Sequence, residues 1–339
     1  MKPGSSIEKI RGERHLPKRI NRFAIIAAAI ALVLVAIIIL TFIQADKIMR
    51  APGKELASFT SNIMPDYRLA TFPSLDEQTR LSGWFFPAKG DPISTVVLVH
   101  DNGSNRLQFD LDSPALFDYL VNRGFNVLAF DLRFSGQSDG TMSTYGYSEW
   151  EDVLAAIQYA RQFASTADVV LYGFGSGVSA SLMAWEELPI SGTDQEDIPK
   201  KLKLLTYDRS YIRAVILDTP AISPDEYIRA DTRETGPVGR YLLQHTVPYA
   251  VRLSAGHSKT SNLVTIISQM QIPALIIWAD TNDHIESEST QAFVQERNRL
   301  YPAATQVYES DADEYLGSWI SDQAAYIETL DRFITRYIR

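Results

Sequence analysis

Residues 169–177 read VVLYGFGSG, an apolar run entering a glycine-rich turn, and they fall one position short of a pattern that performs acyl transfer. In G-x-S-x-G the middle serine is a nucleophile held on a strained strand-to-helix turn, and the residue after it offers a backbone N–H to the developing oxyanion. Here Gly173, Phe174, Gly175, Ser176 and Gly177 fill the five places, so the nucleophile's place is Gly175 and the hydroxyl of Ser176 stands one residue late. Glycine relieves a positive-φ conformation that costs other residues about 1 to 3 kcal/mol, and it removes the attacking atom. A nucleophilic Ser176 requires the turn to slip by one residue, which puts Phe174 and Val178 where small residues are needed. The other reading of Ser176 is a hydroxyl at a helix start.

The groups that could assist are few. The five histidines are His15, His100, His245, His257 and His284, and the chain has no cysteine. It therefore has no thiol nucleophile, disulfide or thiolate metal site. What must position the candidates is a series of short apolar runs with strand composition at 67–72, 81–86, 95–100, 125–131, 168–172, 213–218, 274–279 and 305–308. Helical stretches at 113–122, 147–163, 176–187, 291–299 and 321–338 alternate with them. Such alternation predicts an α/β fold with a mostly parallel sheet covered by helices on both faces. Two stretches exceed the connections this needs: 188–209, a charged surface insertion, and 225–268, read as a helical cap.

Residues 23–43, FAIIAAAIALVLVAIIILTFI, carry no charge and are long enough to cross a bilayer as one helix. The run exceeds the core of a cleavable signal and is followed by Gln44, Ala45, Asp46 and Lys47, which predicts an uncleaved anchor. Residues 1–22 hold seven Lys or Arg against Glu8 and Glu13, a net of +5, so of the chain's −9 the remainder carries −14. By the positive-inside rule the N-terminus is expected in the cytoplasm and the folded domain outside it. The acidic remainder is expected to repel nucleic acid and anionic lipid. The expected organisation is a basic segment 1–22, a transmembrane helix 23–43, a juxtamembrane linker 44–61 broken at Pro52-Gly53, and a folded domain 62–339.

Further blocks occur in order: VLVHDNGSNR at 97–106, FDLRFSGQSDG at 130–140, and TYGY at 144–147 followed by Glu149 and Asp152. With the glycine turn they make residues 62–339 resemble a bacterial membrane-anchored α/β-hydrolase of the serine aminopeptidase-like or esterase branch. The resemblance implies an α/β-hydrolase fold with a cap and a serine, histidine and acid working together without a cofactor. It places the oxyanion N–H groups on Asn102 and Ser176, and the acid on Asp283 in the run DTNDHI. The histidine's place, after the last strand, is filled by Asp313 or Glu314, and the glycine of the family's HG pair is Asp101, a carboxylate beside developing negative charge.

Nucleophile and base are thus both replaced. The expectation is a membrane-anchored, extracytoplasmic pseudohydrolase that binds a small acyl or peptide ligand, or a protein partner, in or near the former pocket. The alternative is an active esterase, lipase or peptidase using a displaced Ser176 with Asp283, with His245 or His257 as substitute base. If the family's places converge, Asp283, Asp313 and Asp101 could also gather around a cation such as calcium or magnesium.

Overall fold

The computed structural model describes residues 22–58, 63–280 and 284–339, so the basic segment up to residue 21 and the expected domain start at Asn62 lie outside the described residues. The chain divides into two compact units, Met1–Leu40 and Thr41–Arg339. The described part of the first belongs to helix α1, Arg22–Met49, which is long and apolar enough to cross a membrane.

The second unit begins inside that helix. Thr41, Ala45, Ile48 and Met49 are buried, at a spacing that puts them on one helical face. The expected linker from Gln44 is therefore corrected over its first residues, which continue α1 and pack into the domain. The irregular segment beyond is held as well: Lys54 N donates to Gly103 O at 2.8 Å, and Asn105 Nδ2 donates to the carbonyls of Lys54 and Glu55.

The strands are β1 Arg68–Pro73, β2 Arg80–Phe86, β3 Ser94–Val99, β4 Phe125–Phe130, β5 Val169–Phe174, β6 Ile212–Asp218, β7 Ala274–Ala279 and β8 Thr305–Ser310. They form one sheet in the order β1-β2-β4-β3-β5-β6-β7-β8, with β2 antiparallel to both its neighbours and the rest parallel. The domain's further helices are α2 Ser113–Asn122, α3 Trp150–Phe163, α4 Ser176–Glu187, α5 Pro224–Glu234, α6 Pro237–Tyr241, α7 Val247–Ser254, α8 Leu263–Gln269, α9 Ser287–Leu300, α10 Ser318–Ser321 and α11 Gln323–Tyr337.

Every residue of β3, β4, β5 and β7 is buried, as strands covered on both faces must be. Their alternation feeds two cores. Val97, Val99, Leu128 and Leu171 join α3 and α4 on one side, while Val96, Leu98, Val127 and Val170 join α2 and α11 on the other.

Helix α9 starts at Ser287 rather than 291, and two other boundaries differ from expectation for a visible reason. Helix α3 starts at Trp150 rather than 147 because the Glu149 carboxylate accepts from the N–H groups of Thr144 and Gly146 and holds 144–149 as a turn. The cap ends before 263, since α8 buries Leu263, Ile266 and Ile267 in the main core against α4 and α9.

Arg106, Asp131 and Arg133 of the 97–106 and 130–140 blocks are structural. Asp131 accepts from Arg106 N at 2.8 Å, Arg106 Nη2 at 2.5 Å and Gln137 N at 2.7 Å, with both side chains of the ion pair buried. Arg133 pairs with Asp152 at 2.7 Å. At the other end of the molecule Asp322 caps α11, accepting from Ala325 N at 2.9 Å. Asp322→Ala is expected to cost about 1 kcal/mol, the ordinary value of an N-cap. Urea denaturation of the detergent-solubilised chain reads this as a lowered midpoint; an unchanged midpoint would mean that solvent serves the N–H equally well.

Candidate active site

The turn after β5 keeps its strained geometry. Gly175 has φ 51° and ψ −124°, its N–H donates to Asp218 O at 2.9 Å, and its carbonyl accepts from Val178 N at 2.9 Å. The flanking glycines are sterically required. A Cβ on Gly173 would lie 2.8 Å from Val178 N, and one on Gly177 2.6 Å from His100 O, so only glycine lets α4 pack this tightly against β5 and β3. Ser176 is the first residue of α4, and Gly175 stands just before it, between β5 and α4.

Two side chains fill the space. A Cβ on Gly175 would meet the Tyr315 hydroxyl and the Asp101 carboxylate, with Asp101 Cγ at 2.6 Å. Asp101 Oδ1 accepts from Ser176 N at 2.7 Å and Ser176 Oγ at 2.8 Å, and Asn102 N donates to Ser176 Oγ at 2.8 Å. Both N–H groups that the family resemblance assigns to an oxyanion therefore already have acceptors within the protein. Burial pushes the Asp101 carboxyl up to about 6 against the lowering effect of the Ser176 hydrogen bonds, and the nearby charge of Asp231 adds to the rise.

The loop after β8 brings Tyr315 to this point. Asp313 and Glu314, expected in the histidine's place, are exposed; the next residue turns inward because its ring packs on both cores, 4.3 Å from the His284 ring. Burial, and then the charge of Asp101, hold the Tyr315 phenol well above its usual range.

His284 is itself engaged. Its Nδ1 lies 3.0 Å from Glu234 Oε1 and its Nε2 3.4 Å from Asp231 Oδ1, while Asp231 also accepts from the Tyr145 hydroxyl. Burial pushes the imidazole down, but Asp231 and Glu234 outweigh it and the net direction is up. With carboxylates facing both nitrogens, loss of the ring's proton is disfavoured.

The other histidines are structural or distant. Leu132 N donates to His100 Nε2 at 2.9 Å and His100 Nδ1 faces Asp101 O at 2.7 Å, which makes Nδ1 the protonated nitrogen of a neutral ring. His257 Nε2 bonds Tyr147 O at 3.0 Å, and His245 is exposed. His15 and the acid candidate Asp283 lie outside the described residues. Among the described residues no group of three His, Cys, Asp or Glu side chains could hold a metal ion, and Asp283, the third member of the expected cluster with Asp101 and Asp313, lies outside them.

A cleft of about 430 Å³ opens onto Asp101 and Tyr315. Its walls are the loop from Asp101 to Ser104, the stretch around Gln108 and Asp110, and the turn from Glu314 to Ile320, with Lys54 at its edge. The cap residues Tyr241, Leu242, Leu243 and Tyr249 lie elsewhere. Leu243 is buried, the other three are exposed, and none lines this cleft.

Sequence reasoning missed Tyr315, His284 and Asp231 as neighbours of the turn. Tyr315 stands one residue beyond the alignment's uncertainty, and Asp231 lies on a cap helix whose approach no local pattern announces.

A glycine-framed turn at the end of the fifth strand, beside a loop carrying backbone N–H donors, is the frame on which an acyl-transfer nucleophile stands. The model of the Alpha/beta hydrolase family matches residues 96–336, and the chain belongs to that family. It is 32% identical over 145 residues to the uncharacterized protein YfhR of Escherichia coli K12, 42% of this chain and 43% of that one, so less than half of that relative is spanned. The Salmonella typhimurium YfhR is 30% identical over 236 residues, 67% of this chain and 69% of that one. Among solved structures the fold resembles the Pyrococcus furiosus esterase Pf2001, with a TM-score of 0.63 at 18% identity over 86% of this chain and 99% of the other. It also resembles Est1E of Butyrivibrio proteoclasticus with bound ferulic acid, with a TM-score of 0.56 at 18% identity over 79% and 99%.

Proposed function

We propose that this chain is a membrane-anchored pseudohydrolase: an α/β-hydrolase domain without serine-hydrolase chemistry, held outside the cytoplasm by residues 23–43, whose cleft beside Gly175 binds a small acyl or peptide ligand. The observation that carries the reading is the Asp101 carboxylate against Gly175, hydrogen-bonded to Ser176 N at 2.7 Å. An oxyanion site stabilises charge that develops during reaction through donors left free for it. Here a side chain that becomes anionic above about pH 6 takes the donor first. The anchor rests on the apolar length of α1 and the net +5 of residues 1–22.

One observation favours an active enzyme instead. Ser176 Oγ donates to Asp101 Oδ1 at 2.8 Å, the geometry of a hydroxyl facing a base. Against it, Ser176 is buried at 3% exposure and its own N–H is engaged. Fluorophosphonate labelling of the full-length chain in detergent, beside a competent serine hydrolase, separates the two. The wild type is expected to stay unlabelled; labelling that vanishes in Ser176→Ala would establish the displaced nucleophile and overturn the pseudohydrolase reading.

A further inference from the structure

The cap carries a second apolar face. Val238, Tyr241 and Leu242 are exposed at i, i+3 and i+4, Tyr241 by 77%, and Tyr249 and Leu253 are exposed at i and i+4 on α7. The inward faces of the same segments are apolar too, with Leu243, Val247, Ala250 and Val251 buried. A surface helix with water outside it is polar on its outer face, so apolar residues on both faces point to something other than water beyond the cap.

Charge and position identify what lies there. From Thr235 to Ala279 the sequence holds no Asp or Glu, although the chain carries −9; its charged residues there are Arg240, Arg252 and Lys259. Arg240 and Lys259 are exposed, and the Arg252 guanidinium lies 5.5 Å from the centre of the Tyr249 ring. Tyrosines and leucines interleaved with cations, free of acids, are the composition of helices that lie in a membrane interface. Thr246, between α6 and α7, shares a hydrogen bond of 2.7 Å with Thr41. Thr41 is buried within the apolar run 23–43, and the two residues after it, Phe42 and Ile43, are exposed. A helix that spans a bilayer through residue 43 leaves it at this point, so its partner Thr246 stands at the bilayer boundary.

We propose that the outer face of α6 and α7 lies in the lipid headgroup region, giving the domain a second contact with the bilayer on which residues 23–43 anchor it. The proposal rests on the anchor reading and adds the orientation of the domain. It identifies the occupant of the apolar face as lipid, with anionic headgroups facing Arg240 and Lys259.

Because the chain has no cysteine, single-cysteine variants carry one fluorophore each. Full-length Tyr241→Cys, Leu253→Cys, Val33→Cys and Ile190→Cys, labelled with a nitrobenzoxadiazole dye, are reconstituted in phosphatidylcholine–phosphatidylglycerol vesicles with and without nitroxide on the acyl chains. Val33 reports the anchor, and Ile190 is an exposed apolar residue outside the cap. Emission at Tyr241 and Leu253 is expected to fall at least about twofold with nitroxide lipid, as at Val33, while Ile190 stays unchanged. If Val33 is quenched but the cap sites behave like Ile190, the cap contact is wrong and the anchor stands. If Val33 is not quenched, the anchor reading fails and takes the proposal with it. Disulfide crosslinking between copies through Tyr241→Cys, without lipid quenching, would make the face a contact between chains and would overturn the proposal. Should Tyr241→Cys fail to fold, Leu242→Cys reads the same face.

Discussion

Gly175→Ser alone is expected to yield a destabilised protein that a fluorophosphonate does not label, whereas Gly175→Ser with Asp101→Gly and Tyr315→His is expected to fold and label. The single substitution puts a Cβ against the Tyr315 hydroxyl and the Asp101 carboxylate, in a backbone with φ 51° that alone costs about 1 to 3 kcal/mol. It also leaves Ser176 N bonded to Asp101, so the new hydroxyl has no oxyanion donor there and no base. Removing the Asp101 side chain frees that donor, a group worth about 10² to 10³ in rate in enzymes that use one. A histidine at 315 supplies a general base, worth about 10² to 10⁴. The two gains act on the same displacement at different atoms, so labelling should rise by several orders of magnitude from Gly175→Ser to the triple variant. In stability, Gly175→Ser and Asp101→Gly should couple by about 1 to 3 kcal/mol, because the second relieves the clash created by the first. Asp313→His and Glu314→His, combined with Gly175→Ser and Asp101→Gly, are expected to remain silent, since both positions are exposed. Equal labelling of all three histidine variants would show that the loop after β8 rearranges freely. Strong labelling of Gly175→Ser alone would show that Asp101 does not obstruct the site.

The parts of this arrangement legible in the sequence are those enforced by local chemistry. Strands β3, β4, β5 and β7 are continuous apolar runs because both their faces are covered, and their composition marks each to within a residue or two. The glycine frame of the turn is legible because Gly173 and Gly177 are demanded by close backbone approach on either side of Gly175. That Asp101 opposes an oxyanion follows from its charge alone. That it closes onto Ser176 and fills the place of a missing side chain needs the distance between two loops 75 residues apart. That Tyr315 turns inward while Asp313 and Glu314 stay exposed is not legible, because the loop after β8 has no periodicity; what turns it is packing of an aromatic ring against the two cores and His284. Residues 44–49 are helix rather than the expected linker, and their sequence does not announce it, because Gln44, Asp46 and Lys47 read as the polar end of an apolar run while the burial of Ala45, Ile48 and Met49 depends on the domain beside them.

The stability of the wild type is expected to decline as pH rises from about 4 to about 6, and Asp101→Asn is expected to remove a large part of that decline. Asp101 has its carboxyl raised from 3.8 to about 6, burial being the main cause. A folded-state value above the unfolded one means that the folded chain holds the proton more tightly. The associated stability is fully present below 3.8 and is lost as pH rises through about 6. At ~1.4 kcal/mol per tenfold change in proton affinity this amounts to about 3 kcal/mol, an upper figure because the carboxylate borders an open cleft. Asp218, buried beneath the turn and also raised to about 6 by burial against its bonds from Tyr326 and Thr219, contributes with the same sign and remains in the variant. His284, whose folded value lies above 6.5, continues the decline at higher pH. Asparagine keeps an oxygen to accept from Ser176 and carries no charge. Asp101→Asn should therefore match the wild type at pH 4 and exceed it by up to about 3 kcal/mol at pH 7.5, read from denaturant midpoints at each pH. Destabilisation at pH 7.5 would mean that the ionised carboxylate gains more from Ser176 than it loses on burial. An active hydrolase would have reason to leave these donors free for substrate, and a site that binds without reacting has none, so the size of this difference measures how firmly the turn is closed.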